Sequence, residues 1–145
     1  MFYKIIATVF FIGYFPLAPG TVATVFGLLF LWLLKPSYST LLAIFSLSLI
    51  LGVFASEKIE RKQGEKDPSC IVIDEFAGYM AAMLFIPINL NTLLLAFIVF
   101  RILDIFKPPP IRQIERKLRG GLSVMMDDVV AGLITNLLIR ILLGV

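Results

Sequence analysis

The sequence predicts an all-α fold: a multi-pass membrane helical bundle of about four spanning helices plus a short N-terminal interfacial or re-entrant helix. Three observations predict it. Of 145 residues, 59% are hydrophobic and 16% charged, whereas a soluble domain has roughly 45–50% apolar and about 25% charged residues. Mean hydropathy is +0.97. The apolar residues fall into blocks separated by short polar, glycine- or proline-containing connections. The length fits one domain, residues 1–145.

The first apolar block, Ile5 to Phe15, is short and runs into Gly13-Tyr14-Phe15-Pro16-Leu17-Ala18-Pro19-Gly20. Two prolines and two glycines there break a helix. A signal peptide competes for residues 1–18, given Lys4. The proline-rich cleavage region and the apolar block that follows at once favour a short interfacial helix instead. The next blocks are Thr21 to Leu34, ended by Lys35-Pro36, and Thr40 to Ala55. After a polar stretch from Ser56 to Ser69, apolar sequence runs from Ile71 to Ile86, interrupted by Asp74 and Glu75. Pro87 to Asn91 is a tight connection, and Thr92 to Phe106 contains Arg101 and Asp104. A basic stretch leads to Gly120-Gly121 and a last block, Leu122 to Val145, with Asp127 and Asp128 near its start. Crossing the hydrocarbon takes about 20 residues. These blocks reach that length only if their charged residues sit at helix ends.

Absences narrow the chemistry. With no histidine there is no Ser-His-Asp triad and no histidine metal ligand. The single cysteine, Cys70, excludes a disulfide scaffold and a zinc set, and no arginine follows it to make a thiol-phosphatase loop. No Walker A or G-x-G-x-x-G sequence is present. The net charge is +3. Ten of the thirteen Lys and Arg residues fall in Lys58–Lys66 and Arg101–Arg119, bounded by apolar runs. That pattern orients a membrane protein, with both stretches cytoplasmic, and does not bind nucleic acid. Pro16–Thr24, Lys66–Glu75, Arg101–Lys107 and Gly120–Asp128 then share one side of the membrane.

Paired acids inside apolar sequence, Asp74-Glu75 and Asp127-Asp128, together with Asp104, are costly in a membrane and are read as functional. For a single pair, a solvated helix start explains the acids equally well. Five on one side need a cation or basic partners to offset their repulsion. Oxygen-only ligation suits Mg²⁺, with Mn²⁺ as the alternative ion. Arg101, Asp104 and Lys107 lie on a broad common helix face. They form either a snorkelling helix end or a cationic cradle for phosphate. Arg112, Arg116, Lys117 and Arg119 fit a basic helix facing solvent or lipid headgroups. Ala18-Pro19-Gly20-Thr21 opens a helix, whose free N–H groups suit an anion; alone, it reads as an ordinary capped helix. Gly120-Gly121 is either a loop near the site or a hinge, and Gly78 and Gly132 are packing positions.

Four segments in order carry a resemblance. They are Pro16-Leu17-Ala18-Pro19-Gly20-Thr21; Ile71-Val72-Ile73-Asp74-Glu75-Phe76-Ala77-Gly78; Phe100-Arg101-Ile102-Leu103-Asp104-Ile105-Phe106-Lys107-Pro108; and Gly120-Gly121 with Val124-Met125-Met126-Asp127-Asp128-Val129-Val130-Ala131-Gly132. Together they resemble the phosphatidylglycerophosphatase A family of bacterial membrane enzymes. The chain departs from the family pattern at Ala23-Thr24, where Gly-Ser is common, and at Pro109, where tryptophan is common.

The resemblance implies a single membrane-embedded phosphatase domain in the bacterial cytoplasmic (inner) membrane, its site facing the cytoplasm. It implies Mg²⁺-dependent removal of the terminal phosphate of phosphatidylglycerophosphate to give phosphatidylglycerol, with membrane lipids as the other partners. It further implies catalytic and metal-binding roles for Asp74, Glu75, Asp104, Asp127 and Asp128, and phosphate-facing roles for Thr21, Arg101 and Lys107. Two rival classes remain. A CDP-alcohol-type phosphotransferase, or another headgroup enzyme, would carry the longer acidic motif with Asp-Gly and Ala-Arg elements, which is missing here. A small non-enzymatic carrier would spread its charges along a path near the bilayer midplane.

Overall fold

The computed structural model describes residues 1–144, and among them there are seven α-helices and no strand. Helix α1 is Phe2–Ala7, followed by a 3₁₀ turn at Ile12–Tyr14. Then come α2 (Pro19–Leu34), α3 (Tyr38–Gln63), α4 (Ile73–Ala82), α5 (Leu90–Phe106), α6 (Ile111–Lys117) and α7 (Gly120–Leu143).

Local sequence sets the boundaries. Pro19 opens α2 at a position where its missing N–H costs nothing. Lys35, in the left-handed region with Pro36 after it, closes that helix. Ser37 caps α3 by accepting the Thr40 N–H at 3.2 Å, and Gly64 ends it at φ +70°. Asn89 and Thr92 form a reciprocal capping box at the start of α5, and Lys107 with the prolines after it ends that helix.

Two helices, α3 with 26 residues and α7 with 24, are long and apolar enough to cross a membrane. The sequence predicts about four, so this is a correction to the expected spans. The shortfall lies in α2, α4 and α5, at 16, 10 and 17 residues. Caps and prolines trim α2 and α5. The block from Ile71 to Ile86 fails to form one continuous helix, because the chain leaves helical geometry at Met83 and Phe85 takes φ +58°.

Helix α4 is the centre of the bundle, packed most extensively against α7 and also against α2 and α3. Every residue from Ile73 to Ala82 is buried except Glu75, which is half-buried. The α4–α7 crossing depends on two glycines. A Cβ on Gly132 would stand 2.1 Å from the Gly78 carbonyl oxygen, and one on Gly78 would stand 2.6 Å from the Asp128 carbonyl oxygen. Backbones approach this closely only where side chains are absent. Tyr79 crosses to α5, its hydroxyl donating to the Leu93 carbonyl at 2.7 Å.

The broken end of α4 would leave carbonyls without partners in an apolar setting. Asn136 of α7 donates to the carbonyls of Ala82 and Leu84 at 3.0 and 2.8 Å, and Arg140 donates to those of Leu84 and Phe85 at 3.2 and 3.3 Å. Arg140 Nε in turn donates to the Asn136 amide oxygen at 2.9 Å. The isolated arginine of the last apolar block is therefore a backbone clamp.

The helices alternate in direction. The starts of α2, α4 and α7 and the finishes of α3 and α5 meet at one end, where Glu57 approaches Gly120 and Glu75 approaches Gly20. Lys35 to Tyr38 and Pro87-Ile88 line a depression at the other end. Much of the outer surface is apolar: Leu29, Leu33, Leu47, Ile50, Phe54, Ile98, Ile102, Leu137 and Ile141 are all exposed.

Candidate active site

The polar end of the bundle holds a cavity of about 240 Å³. Helix α2 contributes Pro19, Gly20 and Thr21, and α4 contributes Asp74 and Glu75. Arg101, Asp104 and Lys107 come from the end of α5, and Asp128 from α7. Asp67 and Ser69 come from the loop between α3 and α4.

Three carboxylates form a cluster. Oxygens of Asp74, Glu75 and Asp128 all lie within 4.8 Å of one another. Asp74 and Asp128 are buried, and Glu75 is half-buried. Asp74 Oδ1, Glu75 Oε2 and Asp128 Oδ2 are each buried without a hydrogen-bond partner. Buried polar oxygens without a partner are expensive, and a hard cation would satisfy them. Asp74 and Glu75 also stand in the first turn of α4, where the helix dipole favours negative charge.

The other two acids occupy a different electrostatic position. Asp104 is ion-paired with Arg101. Asp127 accepts from Lys107 Nζ at 2.5 Å, and Lys107 is also 3.5 Å from Glu115. Of the five acids singled out in the sequence, three gather as a cluster and two brace basic residues. Arg101 is held at its other end too, donating to Thr21 Oγ1 at 3.2 Å. Its Nε is buried and unpartnered.

Thr21 occupies the third residue of α2 and does not cap the helix by its side chain; the cap position is Ala18, at φ +46°. The Gly20 and Thr21 N–H groups, in the first turn, have no intrahelical acceptor. A Cβ on Gly20 would stand 1.9 Å from Glu75 Oε1, so a side chain there would push the Glu75 carboxylate out of its place in the cluster. The first turns of α2 and α4 thus both open on the cavity, an arrangement suited to an anion. Thr24 turns inward and donates to the Gly20 carbonyl at 2.9 Å. Arg112, Arg116, Lys117 and Arg119 remain exposed, away from the cavity lining.

Two residues escaped the sequence reading. Glu115, on α6, helps hold Lys107. Asp67 lines the cavity from the α3–α4 loop, its backbone at φ +50° and its N–H donating to Glu60 Oε1 at 2.7 Å. Left-handed backbone just before a proline is doubly restricted, so the loop holds Asp67 in place against local preference. Although the residue as a whole is exposed, its carboxyl is raised to about 6. Withdrawal from water is the first cause and the Asp127 carboxylate the second, with Lys107 opposing. The available signal was an Asp-Pro step in a short loop that ends at Asp74-Glu75.

A model of the family described as Phosphatidylglycerophosphatase A matches residues 5–143. The chain is 32% identical to Phosphatidylglycerophosphatase A of Escherichia coli (strain K12), over 92% of this chain and 78% of that protein. It is 36% identical to the Haemophilus influenzae protein of the same name, over 80% of this chain and 73% of the relative. It is also 37% identical to a Bacteroides thetaiotaomicron protein provisionally named a phosphatidylinositol-3-phosphatase, over 94% of this chain and 91% of that one. No solved structure matches the chain. The acid cluster, the braced bases and the two open helix starts are thus carried by a member of a phosphatase family: the chain belongs to the phosphatidylglycerophosphatase A family.

Proposed function

We propose that the protein hydrolyses the terminal phosphate monoester of phosphatidylglycerophosphate, yielding phosphatidylglycerol and phosphate, with Mg²⁺ as cofactor and Mn²⁺ as the alternative ion. One observation carries this reading in a chain of this family. Three buried, unpartnered carboxylate oxygens of Asp74, Glu75 and Asp128 share a cavity with a braced arginine.

Those three residues would hold the ion, since an all-oxygen donor set suits a hard divalent cation. When bound, such an ion supplies Lewis acidity and neutralises charge on a phosphoryl oxygen. The remaining roles belong to the chain. Arg101, fixed by Asp104 and Thr21, keeps its Nε–H for a phosphoryl oxygen. Lys107, braced by Asp127 and Glu115, adds a second positive charge. The free N–H groups of Gly20 and Thr21 receive the phosphate from the α2 side. Water adds to phosphorus and gives up a proton, the bond from phosphorus to the glycerol oxygen breaks, and that oxygen leaves as a hydroxyl by taking up a proton in place of the one the water released.

The reading places the chain in the bacterial inner membrane, with the two long helices α3 and α7 crossing and α1 at the interface. It places the site on the cytoplasmic side. The two long apolar helices support this, as do the exposed Leu, Ile and Phe side chains, which a soluble monomer rarely shows in such number. The basic residues at the site end of α3 and on α6 support the orientation.

The test is phosphate release by the purified protein from phosphatidylglycerophosphate, phosphatidylinositol 3-phosphate and phosphatidate, with Mg²⁺ and with chelator. Fastest release from phosphatidylglycerophosphate, abolished by chelator, is expected. Preference for phosphatidylinositol 3-phosphate would move the chain to the activity in the Bacteroides relative's name. Release from none would end the reading.

A further inference from the structure

An apolar groove of about 310 Å³ is lined by residues of the N-terminus, α2, α3 and α4 and holds none of the residues that line the catalytic cavity. Its walls come from four segments: Ile5 and Val9 at the N-terminus, Phe26 and Phe30 of α2, Ile44 and Ser48 of α3, and Phe76 of α4. Ser48 offers no free donor, because its hydroxyl is already given to the Phe45 carbonyl at 2.9 Å. An occupant of this groove has no polar group to meet and must itself be apolar along its length.

The groove and the active site are built on the same two helices, α2 and α4. On α4, the groove residues Ile73 and Phe76 flank the cavity residues Asp74 and Glu75. On α2, Thr21 lines the cavity, while Phe26 and Phe30 lie about 7 and about 13 Å farther along the same helix. On α3, Leu51 to Ile44 carries the wall for about 10 Å in the same direction, away from the polar end. The rings of Phe26, Phe30 and Phe76 form a rigid face, with Phe76 centred 6.0 Å from Phe26 and 5.9 Å from Phe30. On the rim, Phe10 and Leu47 are exposed.

We propose that this groove seats one fatty acyl chain of the lipid whose phosphate occupies the cavity. The inference rests on the lipid-phosphatase reading and deepens it. Polar groups at one end of α2 and α4 receive the head, and the aromatic wall one to three turns along the same helices receives the tail. The active site then grips its substrate at two points, and the tail fixes how deeply the phosphate reaches. The groove is a specific seat, distinct from the general lipid contact of the outer helix faces.

Two measurements test it. In the first, the protein is reconstituted in vesicles of phosphatidylcholine containing a phosphatidylglycerol with a diazirine midway along one acyl chain. After irradiation the crosslinks are mapped by mass spectrometry. Adducts concentrated on Ile5, Phe30, Ile44 and Leu47, and lost in Ser48→Phe, are expected. Adducts spread evenly over the outward faces of α5 and α7 would overturn the proposal, as would peptides of a second protein copy filling the groove.

In the second, kcat/KM is compared on diacyl phosphatidylglycerophosphate and on its deacylated, water-soluble counterpart. The variants are Ser48→Phe and, on the half-buried rim, Ile44→Trp, which serves if the first does not fold. Losing the burial of two methylenes already costs roughly tenfold in binding. A fall of about that size on the diacyl lipid alone is expected. Equal loss on both substrates, or no loss on either, would contradict the seat. If the wild type releases phosphate from neither, the phosphatase reading fails, and the crosslink map still decides the groove.

Discussion

Arg101 shows how single residues acquire their roles here. Its guanidinium is anchored to Asp104 three positions away and to Thr21 eighty positions away. The first partner was legible as helix spacing, and the second was not, because nothing in a linear pattern reports which helix start meets which helix end. The same limit applied to the acids. Their number and sidedness were legible, but the division into three clustered and two braced carboxylates depends on Lys107 reaching Asp127 across twenty positions. Arg101→Lys keeps the charge and loses the fork that engages both anchors. Losing one charge-assisted hydrogen bond, about 1.5–3 kcal/mol, should lower kcat/KM for phosphate release by roughly 10- to 100-fold with an unchanged melting midpoint. Steady-state kinetics beside thermal unfolding checks this.

Asp67 makes a pH-dependent prediction. Its carboxyl is raised to about 6 in the fold, against about 3.9 when unperturbed. The native state therefore holds the proton more tightly, and stability falls as pH rises between those values and stays lower above them. Asp67→Asn, which keeps a side chain tolerant of left-handed backbone, should unfold at a higher temperature than wild type at pH 8. The difference should vanish near pH 4. Melting curves in chelator across that range test the sign, and a variant less stable at pH 8 would contradict it.

At the scale of elements, the instructive case is α4. Its sequence reads as an ordinary apolar block, and its glycine and acid positions were legible. Its interruption at Met83 was not, because the break is stabilised from α7 by Asn136 and Arg140 more than fifty positions away. Irregular backbone inside an apolar bundle survives only with partners of this kind. Asn136→Ala should leave the Ala82 carbonyl without its donor and the Leu84 carbonyl with Arg140 alone, and cost about 1–3 kcal/mol, read as lower resistance to thermal or denaturant unfolding. The α4–α7 crossing yields a second prediction. Gly132→Ala places a methyl group against the Gly78 backbone, which has no side chain to move aside. The cost of such overpacking, about 1–3 kcal/mol, should appear in the same assay. Because Asp128 lies one turn away, activity should fall as well.

For the whole molecule, composition announced an apolar helical bundle, and the alternation of basic and apolar segments announced a polar end. Span number was the part misread, since blocks of similar hydrophobicity form helices from 10 to 26 residues long once caps, prolines and the buried break are counted. Orientation is testable with the native sequence. Cys70, the single cysteine, is half-buried between cavity residues Ser69 and Ile71. A membrane-impermeant maleimide should label it in inside-out vesicles and leave it unlabelled in right-side-out ones. The opposite pattern would invert the proposed topology.

The central claim joins the acid trio to phosphate release. Its most direct test is one Mg²⁺ titration of phosphate release from phosphatidylglycerophosphate, run on wild type and on Asp128→Asn. The account predicts Mg²⁺-dependent release by the wild type. It predicts a loss on the order of 10²- to 10³-fold in the variant, the scale of removing one preorganised electrostatic group, with the fold intact by circular dichroism. Undiminished release by Asp128→Asn at every Mg²⁺ concentration would contradict it.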